Sequence, residues 1–317
     1  KSDIITLSLT LNFREENMST LEKCVDKAFD GIKIREYLKE EMGLSSRLIR
    51  GAALDKRILV NNNPVKMNYV LKADDNILIN LKKKESQNIE PEKIEIEIVY
   101  EDSDIIVVNK RPNMVVHPTK RYQSGTLANA LLYYFKETNQ DCIVRLVSRL
   151  DMDTSGLIII AKNQYAHMEL SKDMQQNGIE KRYLALVHGH MEQMEGTIDK
   201  PIYRPEIEGN MRRVVDERGQ RSITHYKVVE RLKNADLVEC LLETGRTHQI
   251  RVHLSHLGHP IYGDTLYGIE EDAQLISRQA LHAYGLNFKS PRTKEYLQLR
   301  ADLPEDIRAL LENLRES

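Results

Sequence analysis

Arg149 and Asp151 stand two residues apart in Val147-Ser-Arg-Leu-Asp-Met-Asp-Thr-Ser-Gly-Leu-Ile-Ile-Ile-Ala-Lys162. A polar turn of Asp153, Thr154, Ser155 and Gly156 follows, and then the apolar run Leu157 to Ala161. This pattern holds a carboxylate on a loop just ahead of a buried strand, and rigid strands commonly present functional groups at their ends. Asp151 can therefore be a carboxylate available for chemistry. It can equally hydrogen-bond its own turn, as Asp ahead of Ser and Gly often does.

The second dense stretch is Thr244-Gly-Arg-Thr-His-Gln-Ile-Arg-Val-His-Leu254. Residues 247 to 257 read as a helix. Arg246, His248 and Gln249 sit near its N-terminus, where backbone N–H groups and the helix dipole favour an anion. Arg251 faces a different direction from Arg246. An arginine close to a lone aspartate favours the charged form and fixes its orientation; the alternative is an arginine on a solvated helix face. His253, His256 and His259 recur at three-residue intervals, with His248 upstream. Six residues rotate well past one face of an ideal helix, His259 follows Gly258, and no Cys lies near. Hydrogen bonds to loop carbonyls or to RNA are expected of these histidines rather than metal binding. There is no Gly-rich phosphate loop and no CxxC pair, so neither a cofactor nor a metal is expected. A carboxylate-dependent hydrolase would need a second acid about 5 to 10 Å from the first. Asp153 and Asp264 are the candidates, and Asp153 reads better as a cap of its turn.

The elements that must position these residues follow from hydrophobic periodicity. Residues 4 to 13 alternate as a strand. Ile34, Leu38 and Met42 recur at helical spacing with Gly43 as a stop, and Ser45 offers an N-cap to a second short helix carrying Arg47 and Arg50. Arg57 to Val65 reads as strand, Asn-rich turn and return, residues 76 to 81 as another strand, and Lys82 to Lys84 close this part. Residues 85 to 93 are polar and aperiodic, a linker. Beyond it, Ile94, Ile96 and Ile98 alternate, Ile105 to Val108 is a buried-type run, and residues 125 to 135 form an amphipathic helix. A helix over about 164 to 176 with Gly178 as its stop, and a strand over 181 to 187, come next. Residues 201 to 221 form a long exposed loop with Arg204, Arg212, Arg213, Arg218 and Arg221. Strands over about 222–231, 236–243, 280–288 and 295–300 and a closing helix over 304–314 complete an α+β fold around a mixed, mainly antiparallel sheet with flanking helices.

The 317 residues suit two domains, and 41% hydrophobic with 30% charged residues is a globular composition. Apolar runs of about five residues fall far short of the roughly 20 that span a bilayer, and no secretory pattern opens the chain. The chain begins at Lys1, with Met18 a candidate native start. Three scattered cysteines fit a reducing cytoplasm. Net charge is −2, but residues 31 to 84 hold 12 Lys plus Arg against 6 Asp plus Glu, leaving 34 against 42 elsewhere. Such asymmetry is a hint of nucleic-acid binding by the basic part.

Leu44-Ser-Ser-Arg-Leu-Ile-Arg50, Ile58-Leu-Val-Asn-Asn-Asn-Pro-Val65 and Asp74-Asp-Asn-Ile77 resemble the small RNA-binding module first described in a small-subunit ribosomal protein, with Asn62 where Gly is usual. Arg149-Leu-Asp-Met-Asp-Thr-Ser-Gly-Leu157, Lys181-Arg-Tyr-Leu-Ala-Leu-Val-His-Gly189, Thr244 to His253 and His259-Pro-Ile-Tyr-Gly-Asp-Thr-Leu-Tyr-Gly268 resemble the RluA/RluD family of RNA pseudouridine synthases. Tyr100 to Lys110 and Gly125 to Leu132 match its opening, so the similarity spans about 94 to 300. Ser148 stands where the family commonly has His, and Arg111 and Asn113 where a small residue and Gly are usual.

The resemblance implies four parts: an N-terminal extension (1–30), a small αα-hairpin RNA-binding domain (31–84), a linker (85–93) and a catalytic domain (94–317). It implies conversion of uridine to pseudouridine in structured RNA, with large-subunit ribosomal RNA the expected partner and a monomer the expected state. Asp151 would be the essential carboxylate, Tyr183 the tyrosine against the flipped uracil, and Arg251 the partner of Asp151, with Arg246 the runner-up. Arg149 would fill the space that the base vacates, and Arg246, His248, Gln249, Arg47 and Arg50 would contact RNA. Leu150 and Ile250 are expected to pack. The competing reading is a non-catalytic RNA-binding or ribosome-assembly factor, which should have lost at least one of Asp151, Tyr183 and Arg251.

Overall fold

A computed structural model of the chain describes residues 20–81, 87–206 and 211–316. The strand expected over 4–13 and Lys82 to Lys84 lie outside these residues. The first unit comprises β1 (Thr20–Cys24), α1 (Ile34–Glu40), α2 (Ser46–Leu54), β2 (Ile58–Val60), β3 (Asn63–Pro64) and β4 (Asn76–Asn80), with antiparallel strand order β1-β4-β2-β3. Ile34 and Leu38 of α1 and Leu48, Ile49 and Ala52 of α2 pack into one core with Ile58, Val60, Ile77 and Ile79. Ser45 caps α2, its hydroxyl accepting from the Leu48 amide at 3.2 Å. Asn61 and Asn62 turn the chain with φ of 49° and 66°. Asn tolerates that left-handed conformation, so Asn62 serves where Gly is usual.

The second unit is built on one large sheet of β5 (Glu97–Glu101), β6 (Ile105–Lys110), β7 (Arg145–Leu146), β8 (Ser155–Ala161), β9 (Glu180–His188), β10 (Glu195–Asp199), β13 (Ile223–Arg231), β14 (Ala235–Leu242), β15 (Leu281–Lys289) and β16 (Tyr296–Arg300). Between β10 and β13, β11 (Ile202–Tyr203) and β12 (Val214–Val215) pair as a separate ribbon. The order is β10-β13-β14-β9-β15-β8-β6-β5, with β16 on β15 and β7 on β8. Among the described residues only β8 and β15 run parallel, so the sheet is mixed and mainly antiparallel, as expected. The helices are α3 (Leu127–Glu137), α4 (Gln164–Gln175), α5 (Gln249–His256) and α6 (Glu305–Glu316). All seven residues of β8 are buried, which explains a run without alternation.

Several local expectations change. The strand starts at Glu97, so Ile94 and Ile96 pack on the core from outside it. The segment read as a linker is tied down: Gln87 exchanges hydrogen bonds with the Val144 backbone, and Glu92 bonds the Asn129 carbonyl and the Gly125 amide. Asn177, with φ of 56°, ends α4 in the left-handed conformation expected of Gly178. The loop 201–221 contains the β11–β12 ribbon, anchored by buried Ile202. The two units touch through α4, whose Tyr165 and Met168 join the core of the first unit. Arg292 grips both oxygens of Asp104 at 2.7 and 2.9 Å and also donates to the Thr20 carbonyl.

Gly156 sits where the parallel pair closes, with φ of 112° and opposite Ala283. A Cβ there would lie 2.3 Å from the Ala283 carbonyl oxygen, a backbone atom that cannot move alone. Gly156→Ala is therefore expected to cost about 3 kcal/mol or more, combining overpacking with a disallowed backbone. Thermal unfolding would show it, and an unchanged melting temperature would refute this account of the pair.

Candidate active site

The loop between β7 and β8 carries Asp151 to the wall of a cavity of about 410 Å³, lined also by Ser148, Arg149, Lys181, Tyr183, His248 and Arg251. Its framework is rigid because the flanking Leu150 and Ile250 are buried in the main core, the packing role expected of them. Arg251, on α5 and 5% exposed, makes the central contact. Its Nη1 donates to Asp151 Oδ2 at 3.2 Å, while Nε and Nη2 donate to the two oxygens of Asp264 at 2.6 and 2.7 Å. Asp264 also accepts from the Leu266 and Tyr267 amides. Burial works to lower the Arg251 pKa, but the bonds to Asp264 and the Asp151 charge leave it above its ordinary value. Arg246, the runner-up, is exposed and donates instead to the Arg221 carbonyl.

The bonds that shape the loop are made by its backbone. The Asp151 carbonyl accepts from the Thr154 amide, and the Met152 carbonyl from the Met114 amide and from Lys110 Nζ. Lys110 is 1% exposed and donates also to the Arg111 and Met114 carbonyls. Burial pushes its pKa down to about 7, opposed by Asp153 and Asp151. Asp153, expected to cap the turn, has a buried Oδ1 without a hydrogen-bond partner and acts on Lys110 by charge. Asn113 holds φ of 56° in the loop after Lys110, where Gly is usual.

Tyr183 projects from β9, opposite Cys240 of β14, and is 7% exposed. Burial, then the Asp151 charge, raises its hydroxyl well above the ordinary phenol range. Both effects favour the neutral phenol.

His248 stands before α5 with φ of 59°, so the helix starts at Gln249 rather than Thr247. Its Nε2 lies 3.9 Å from Asp151 Oδ2 and its Nδ1 2.9 Å from Tyr267 Oη. Burial pushes the imidazole below its ordinary value, while the Asp151 charge acts the other way. Gln249, expected at RNA, is 3% exposed and bonds Thr244, the Arg246 amide, the Ile223 carbonyl and Thr224. It braces α5, because its amide has internal partners on both sides. His253 is likewise held by Thr224 and the Lys200 carbonyl, and His259 by the His188 carbonyl.

Arg149 is exposed at the rim. The arginine-rich loop reaches the same place: the Arg213 amide donates to Tyr267 Oη at 2.7 Å, and its side chain feels the charges of Arg149 and Asp151. Arg47 and Arg50 are exposed on α2, far from Asp151 in sequence. Arg50 joins Arg35, Lys39, Lys56 and Lys66 along a groove of about 770 Å³, which Arg47 does not line. Residue-by-residue reading missed Lys110 and Tyr267 as parts of the site, and weighed Asp264 only as a second acid rather than as the partner of Arg251. A lysine ending a buried strand and an Asp within Gly-Asp-Thr were the available signals.

The Asp151 carboxylate, its buried arginine partner and Tyr183 thus meet at one cavity, with Arg149 exposed at its rim. Residues 104–256 match the family model described as RNA pseudouridylate synthase. The chain is 40% identical over 266 residues to the uncharacterized RNA pseudouridine synthase YlyB of Bacillus subtilis (strain 168), covering 83% of this chain and 87% of the relative. It is 35% identical over 310 residues to the ribosomal large subunit pseudouridine synthase D of Nitrosomonas europaea, covering 95% and 90%. Among solved structures, human RNA pseudouridylate synthase domain containing 1 superposes with a TM-score of 0.55 at 28% identity, covering 70% of this chain and 96% of that one. The chain belongs to this family and is an RNA pseudouridine synthase.

Proposed function

We propose that the enzyme isomerises uridine in structured RNA of the large ribosomal subunit, with Asp151 as the group that opens the glycosidic bond. The observation carrying this reading is the Asp264–Arg251–Asp151 chain beside Tyr183 in one cavity. The C1′–N1 bond breaks, the uracil turns, C1′–C5 forms, C5 gives up its proton and N1 gains one. Asp151 serves either by attacking C1′ or by promoting glycal formation. A uridine in a stack must first be flipped out. Arg149 at the rim fills the vacated space, and Tyr183 packs on the extruded base. Relatives named for the large ribosomal subunit support the substrate class. Tritium release from RNA labelled at uridine carbon 5 tests the reaction, and pseudouridine mapping in cells lacking the protein tests the target. No release from ribosomal RNA, with an unchanged map, would sink the proposal.

The first unit supplies affinity through phosphate contacts along the groove of Arg35, Lys39, Arg50, Lys56 and Lys66. Arg50→Ala with Lys66→Ala is expected to lower the slope of log affinity against log salt by about 2, roughly 1 per cation. Maximal turnover at saturating RNA should change little. An unchanged slope in a filter-binding titration would remove the groove from the interface.

A further inference from the structure

The Asp151 loop is held from a side that the catalytic reading leaves unused. Arg278, 4% exposed and absent from the cavity lining, donates from Nη1 to the Asp153 carbonyl at 2.9 Å. Its Nε and Nη2 donate to the two oxygens of Asp306 at 2.6 and 2.8 Å. The neighbouring Gln279 donates to Thr154 Oγ1 at 3.2 Å. Asp306 lies in the first turn of α6, where its carboxylate also accepts from the Ile307 amide and complements the helix dipole. Ile307, Leu310 and Leu311 sink α6 into the main core, so Asp306 is a fixed post. Both residues lie beyond the 104–256 stretch matched to the family.

We propose that Arg278 and Asp306 are positioning residues for catalysis, acting through the Asp153 carbonyl to aim Asp151. The inference rests on the reading of Asp151 above. Lys110 bonds the Met152 carbonyl and Arg278 the Asp153 carbonyl, so two consecutive peptide groups after Asp151 are each tied to a buried cation. A guanidinium is required because one donor must reach the loop while two others stay on the carboxylate. Released from this brace, the loop can drift, and a misplacement of about 1 Å at a reacting group costs about 100-fold in rate.

The experiment compares wild type, Asp306→Asn, Arg278→Lys and Val228→Ala by single-turnover tritium release at saturating enzyme, by RNA affinity and by melting temperature. Asp306→Asn keeps one acceptor but loses the ionic post. We expect its rate to fall about 10- to 100-fold with RNA affinity within about 3-fold, well below its melting temperature. Arg278→Lys should not rescue, because an ammonium cannot span both partners. Val228→Ala weakens the same core from β13, outside the brace, and should lower the melting temperature at near wild-type rate. Should Arg278→Lys fail to fold, Asp306→Asn carries the test alone, since that side chain is 40% exposed. A wild-type rate in Asp306→Asn, a rate loss matched by lost affinity, or an equal rate loss in Val228→Ala overturns the inference. With Asp151→Asn inactive, those outcomes sink the brace alone; an active Asp151→Asn sinks the underlying reading instead.

Discussion

Asp151→Asn is expected to lower single-turnover tritium release by at least about 1,000-fold while the protein folds as well as wild type and binds RNA as tightly or more tightly. The magnitude follows from the proposed function, in which Asp151 is the group that acts at C1′ and general positioning and binding cannot substitute for it. The preserved stability follows from the hydrogen bonds. Among the described residues, the Asp151 carboxylate accepts only from Arg251, and its turn is closed by its backbone carbonyl instead. Arg251 keeps both bonds to Asp264 when Asp151 is neutralised, so no buried charge is stranded. Removing a negative charge from a rim bearing Arg149 and Arg213 should, if anything, favour a polyanion. Thermal unfolding, filter binding and tritium release separate the three effects. A melting temperature several degrees lower would show that the carboxylate serves the turn. A wild-type rate would remove Asp151 from the chemistry.

How much of this is legible in the sequence differs from residue to residue. The Leu157 to Ala161 run and its polar approach place Asp151 at a strand end, because burial on both faces leaves a continuous apolar signature. Arg251 is paired with Asp151 only through the resemblance, because 100 residues separate them, and Asp264 reads as a possible second acid rather than as the other partner of Arg251. Gln249 lines the cavity as well, but its amide is engaged by four internal partners, which no local sequence pattern announces. Asp153 misleads for a related reason. Capping is a local expectation, whereas Lys110 approaches from β6. The ribbon within 201–221 is hidden because strands of two residues carry no period. Arg278 and Asp306 are invisible for want of any local pattern joining a strand entrance to the C-terminal helix.

Arg251→Lys, a change that keeps the charge, should nonetheless cost about as much activity as Arg251→Met, on the order of 1,000-fold. One guanidinium spans two carboxylates here, with two nitrogens on Asp264 and the third on Asp151, and its central carbon lies 5.2 Å from the Tyr267 ring centroid. An ammonium is a point donor and can serve one carboxylate in that geometry. Asp264 is the stronger claimant, since it is 2% exposed and already fixed by two backbone amides. The lysine variant would thus leave Asp151 without its orienting partner. Stability should separate the variants where activity does not. Removing the cation altogether strands Asp264 and should cost about 3 to 5 kcal/mol, while the lysine should cost less because a buried charge pair survives. The decisive comparison is the double variant Arg251→Met with Asp264→Asn, which neutralises both buried partners and should recover much of the lost stability. If the arginine served only to hold the fold, activity would return with the melting temperature. Recovery of stability with activity still near the Arg251→Met level instead places its function at the Asp151 carboxylate.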